Sequence, residues 1–188
     1  MLRLLWTQRQ NFGPSPPSNH KIVYDLQRKR TLLFGGGNRD IPELADTWEW
    51  DGDNWTQVAE TGPSPRSGYG MTYDTARSRA VLFGGIGQQG GPGLFLGDTW
   101  EWDGEAWAQL ADFGPPPRQT VGMAYDSVRK RVVMFGGTGS VPKAIVFGDT
   151  WEWDGSEWTQ VADSGPAPRG LLSGDTENQE PSSLAIFS

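Results

Sequence analysis

The sequence predicts an all-β protein made of small antiparallel sheets repeated along the chain. Three observations carry this. The phrases LADTWEWDGDNW, LGDTWEWDGEAW and FGDTWEWDGSEW recur with their first aspartates at Asp46, Asp98 and Asp149, steps of 52 and 51 residues. A glycine pair closes a short apolar run each time, at Gly35-Gly36, Gly84-Gly85 and Gly136-Gly137. Within DTWEW the residues alternate, so Trp48 and Trp50 share one face and Thr47 and Glu49 the other, a period of two that fits a strand and not a helix.

Each repeat reads as four elements. The first strand, a, follows a Pro-Arg and ends in Tyr-Asp, as in YDLQRKR, YDTARSR and YDSVRKR. Strand b is an apolar run such as RAVLFGG, rich in β-formers and stopped by glycine. Strand c is DTWEW. The dipeptides Asp51-Gly52, Asp103-Gly104 and Asp154-Gly155 then supply a tight turn, because glycine and aspartate tolerate the backbone angles a hairpin demands. Strand d begins at Trp55, Trp107 or Trp158 and runs into GPSPR, GPPPR or GPAPR. Four short strands per unit of about 50 residues is the pattern of a propeller blade.

The repeat resembles the kelch type of β-propeller, of the galactose-oxidase-like superfamily. The Gly-Gly after an apolar strand, the Tyr-Asp and the tryptophan after the next strand all match, and the DTWEWDG wording resembles the bacterial variety. The resemblance covers roughly residues 3–169 and implies stacked sheets around an axis. It implies little about activity, since such folds host enzymes and binding modules alike. It also accounts for the tryptophans. A blade must cover both faces against its neighbours, and an indole covers on the order of 150–250 Å². Trp48, Trp50, Trp55, Trp100, Trp102, Trp107, Trp151, Trp153 and Trp158 are therefore expected to be packing residues, with sugar stacking as the competing use.

Three blades are expected, at about 17–59, 66–111 and 118–162. Residues 1–16 read as an orphan outer strand and linker: Trp6 stands eight residues before Pro14, as Trp55 stands before Pro63. Pro17 takes the place that Arg66 and Arg118 hold in the later units. After Arg169 no Tyr-Asp, Arg-x-Arg or Phe-Gly-Gly recurs, and residues 170–188 are expected to be a disordered tail by their polar composition. Three blades are fewer than the four or more that close a ring. The expectations are a homodimer completing a six-bladed ring, a chain that is a fragment or a truncated gene product, or an open arc capped by its own tail.

Composition excludes several classes of function. The formal net charge of −7 disfavours nucleic acid and anionic membrane surfaces as partners. No stretch approaches the ~20 apolar residues of a spanning helix, and the apolar patch in MLRLLWTQRQ is too short for a secretory leader. With no cysteine and one histidine, neither a thiolate zinc site nor the crosslinked copper centre of some related propellers can be built. No metal site, cofactor or catalytic residue is expected. Asp51-Gly52-Asp53-Asn54 hints at calcium, but the other copies read DGEA and DGSE and all are explained as turns. His20 has no nucleophile in a recognisable setting. Glu43, Asp46 and Asp98 are the carboxylates nearest the variable rim, with no evident acid–base pair.

Up-and-down strand order puts the GPxPR linkers and the loops after Phe-Gly-Gly on one rim, and the near-constant DxxRxR and WDGxxW hairpins on the other. The first-rim loops, 37–45, 86–97 and 138–148, differ in length and wording. Function in repeat scaffolds concentrates where the units differ. The candidate binding residues are Asn38, Arg39, Gln88, Gln89 and Lys143 on those loops, with Tyr69 and His20 near the inner strand. The expected role is non-catalytic binding of a protein or peptide; the competing reading is a carbohydrate-binding or epimerase-like propeller.

Overall fold

A computed structural model describes residues 13–14, 18–37, 42–87, 93–140, 144–163 and 165–167. The expected outer strand near Trp6 and the tail beyond Arg169 lie outside these residues. Among the described residues there are fifteen strands and no helix.

The first blade is a meander of β1 (Lys21–Asp25), β2 (Arg30–Gly36), β3 (Leu44–Trp50) and β4 (Trp55–Ala59), hydrogen-bonded in that order. The second is built the same way from β6 (Gly70–Asp74), β7 (Arg79–Gly87), β8 (Leu94–Trp102) and β9 (Trp107–Ala111), with a two-residue β5 (Arg66–Ser67) added beside the far end of β7. The third joins β10 (Gly122–Asp126), β11 (Arg131–Phe135), β14 (Thr150–Trp153) and β15 (Trp158–Ala162). Its b–c connection folds into a hairpin of β12 (Thr138–Ser140) and β13 (Ala144–Val146).

Register repeats with the sequence. Asp25 faces Arg30, Asp74 faces Arg79, and Asp126 faces Arg131. The third and fourth strands of every blade shift register after the threonine of DTWEW, at Thr47, Thr99 and Thr150. A bulge bends a strand and adds to its twist, so every blade curves at the same point.

Each a–b hairpin is closed by its aspartate. Asp25 Oδ1 accepts from the backbone N–H groups of Gln27 and Arg28 at 2.9 Å, and Asp74 and Asp126 do the same in their turns. Lys29, Ser78 and Lys130 sit left-handed in these turns at φ 55°. The first glycine of each Phe-Gly-Gly is needed for room as well as φ. At Gly84 (φ 66°) a Cβ would lie 2.6 Å from the Arg118 carbonyl, where the next blade's linker crosses the strand.

Cores form between the blades. Leu32 packs with Tyr73, Ala80 and Trp102, while Phe34 packs with Tyr69, Met71 and Leu82. Between the second and third sheets, Val81 and Phe83 meet Val121, Val132, Met134, Trp153 and Trp158. Polar bonds run along the same interfaces in a fixed direction. Trp102 and Trp107 donate backwards to Glu49 (3.3 Å) and Thr47 (2.9 Å). Trp153 and Trp158 donate backwards to Glu101 (2.9 Å) and Thr99 (2.8 Å). The Thr/Glu face of DTWEW is therefore as buried as the tryptophans that cap it: Thr47 and Thr99 are both 0% exposed.

Candidate functional site

The GPxPR linkers cross the blades at the rim, and their arginines are locked. Arg66 forms a two-pronged ion pair with Asp98, at 2.7 and 2.8 Å, and donates to the carbonyls of Gly84 and Ser64. Arg118 repeats the arrangement with Asp149, at 2.6 and 3.0 Å, and with the carbonyls of Gly136 and Pro116. It also lies 3.6 Å over the Phe147 ring. Both arginines are buried. Burial raises the carboxyl pKa of Asp98 and Asp149, but the arginine hydrogen bonds and charge outweigh it and hold both below the usual range.

Beside the first clamp a cavity of about 850 Å³ opens between the linker Gly62–Arg66 and strands β8 and β9. Its lining includes Glu43, Ser64, Arg66, Asp98, Trp100 and Gln109. A smaller hollow of about 390 Å³ repeats it one unit on, between Phe95–Asp98 and the linker Asp112–Pro117. The larger cavity combines an indole, a carboxylate from the preceding blade and an amide, groups that grip a partly polar ligand. The clamp pair supplies shape to this wall and has its charges already satisfied. Among the described residues no group of histidines and carboxylates is arranged to hold a metal ion.

Asn38, Arg39, Gln88, Gln89 and Lys143 lie outside the described residues. His20 is exposed just before β1. Tyr69, read from the sequence as a binding residue, is 0% exposed. Its hydroxyl donates to the Phe34 carbonyl and accepts from the Lys21 N–H at 3.0 Å, tying β6's approach to the first blade. Burial pushes its pKa up. That side chain is spent on joining two sheets and presents nothing to a ligand, a correction that an isolated Tyr in SGYG could not signal. Trp100 and Gln109 were legible only as repeat positions, because what makes them cavity walls is the neighbouring linker.

The sheets and linkers together define an open propeller of kelch type. The chain belongs to the kelch-repeat family: the KLHDC2/KLHL20/DRC7 Kelch-repeats domain matches residues 1–175. Kelch repeats make a propeller commonly used for protein interaction. Among solved structures the chain is similar to the one described as "Structure of YjhT", at 13% identity with a TM-score of 0.62, covering 83% of this chain and 54% of that one. This chain thus spans about half the length of that propeller. No curated protein matches the sequence.

Proposed function

We propose that the chain is a non-catalytic interaction module that binds a protein or peptide segment on the GPxPR rim. The observation that carries this is the cavity of about 850 Å³ lined by Trp100, Glu43 and Gln109 beside the GPxPR linker, on the rim where the three units differ most in sequence. An extended peptide would lay an apolar side chain on the indole and offer N–H groups or a cationic side chain to Glu43. The loop residues Asn38, Arg39, Gln88, Gln89 and Lys143, with His20, would extend the contact around the rim.

The same indole beside a carboxylate and an amide supports a second reading, stacking of a sugar ring. A peptide-array screen run beside a glycan array separates the two. Peptide binding lost in Trp100→Ala and Glu43→Gln supports the first reading. Glycan binding lost in the same variants replaces it with the second, and no binding to either removes the rim assignment.

A further inference from the structure

We infer that the rim holds its partner segment by two unlike side chains in adjoining hollows, a cationic one (Arg or Lys) against Trp100 and Glu43 and a bulky apolar one against Phe95 and Phe113. This rests on the peptide reading above and names the chemistry of the peptide.

The two hollows are the same place in successive units. Each is walled by a GPxPR linker and by the residue three before the aspartate of DTWEW. That residue is Glu43 in the first and Phe95 in the second, and the third unit has Val146 there. The linkers differ in the same sense. Ser64 lines the first hollow, Pro116 takes its place in the second, and Phe113 stands where the earlier linker has Thr61. Repetition thus keeps the shape and changes the chemistry. Asp98 lines both hollows, so they share a wall and one extended segment reaches both.

Charge selects the occupant of the first. Its lining holds two carboxylates, Glu43 and Asp98, against one arginine. Arg66 and Asp98 answer each other with both prongs, so Glu43 sets the sign. Glu43 has an interaction of its own, but the two oxygens of a carboxylate offer roughly four acceptor sites, enough for a further N–H. An indole face such as that of Trp100 also attracts a cation. Burial selects the occupant of the second. Phe113 is 67% exposed on the linker, and Leu94 is 47% exposed next to Phe95. Apart from Asp98 and Asp112, the lining there is apolar or glycine, and an apolar side chain would take that surface out of water. Asp112 is exposed at its margin, and the chain carries a net charge of −7, so the field favours a basic segment over an acidic one.

Short labelled peptides test this on the full chain by fluorescence anisotropy. They carry Arg with Leu, Glu with Leu, or Arg with Ser, at varied separation in a Gly-Ser background. The Arg–Leu set is expected to bind tightest, and less tightly as salt rises. Glu43→Lys is expected to exchange the preference, favouring Glu–Leu over Arg–Leu. Phe113→Ser is expected to weaken Arg–Leu binding on the order of tenfold, to the level of the Arg–Ser set, with thermal unfolding unchanged. Equal binding of the three sets overturns the inference and leaves the rim reading standing. So does a preference that Glu43→Lys leaves unmoved. Arg–Leu binding that appears only after Ile186→Asp with Phe187→Asp would assign the apolar hollow to the chain's own end and overturn the inference too. Binding by none of the sets, nor by any peptide of the wider array, removes both readings together.

Discussion

The first and second blades share a sequence pattern and differ at the arginine of the linker. In the second, Arg66 fills the rim and grips Asp98 with both prongs. In the first, Pro17 stands at that place in the sequence, and Asp46 accepts from Trp48 Nε1 at 2.5 Å, while its buried Oδ1 has no partner among the described residues. A buried oxygen left unpaired costs about 1–3 kcal/mol. The aspartate is thus an asset only with its arginine, and a repeat residue's contribution must be read from the pair.

Breaking the better half of this comparison gives the largest effects. Arg66→Ala strands the Asp98 carboxylate, whose side chain is 18% exposed, without its buried partner, and a loss of about 3 kcal/mol is expected in chemical denaturation. Trp102→Ala opens a cavity between the first two blades and is expected to cost a similar ~3–5 kcal/mol; a loss near that of an exposed substitution would overturn its packing role. Tyr73→Phe removes the bond to buried Asp25 and should cost about 1–3 kcal/mol, whereas Tyr24→Phe, at a ring that is 50% exposed, should fall within ~0.5 kcal/mol. Pro17→Arg sharpens the contrast from the other side: a guanidinium delivered to Asp46 should stabilise by about 1 kcal/mol, seen as a rise in Tm.

Acid should weaken the clamped units. The arginine hydrogen bonds and charge outweigh the effect of burial and hold the carboxyl groups of Asp98 and Asp149 below the usual aspartate range in the folded protein. The unfolded chain therefore binds more protons as pH falls through that range, so the stabilisation is complete at neutral pH and is lost progressively toward strong acid. Arg66→Met with Asp98→Leu should flatten that part of the profile; an unchanged profile would assign the acid sensitivity elsewhere.

Much of the fold was legible because a repeat averages out local ambiguity. A single DTWEW could be several things, whereas three at steps of 52 and 51 residues fix the four-stranded unit. The b–c connections read as loops in the sequence, yet β7 and β8 extend into the second and β12 and β13 form inside the third. Glycine-rich wording hid pairing that neighbouring linkers such as β5 complete. The burial of Tyr69 and the cavity beside Trp100 depend on what crosses from the adjacent unit, a relation no spacing within one unit encodes.

The backward-pointing indoles carry one last implication, for how such chains lengthen. Each unit contains both the donors for its predecessor and the acceptors for its successor. A gene segment copied in tandem thus arrives with a matched seam at both ends, and needs no compensating substitutions before it adds to stability.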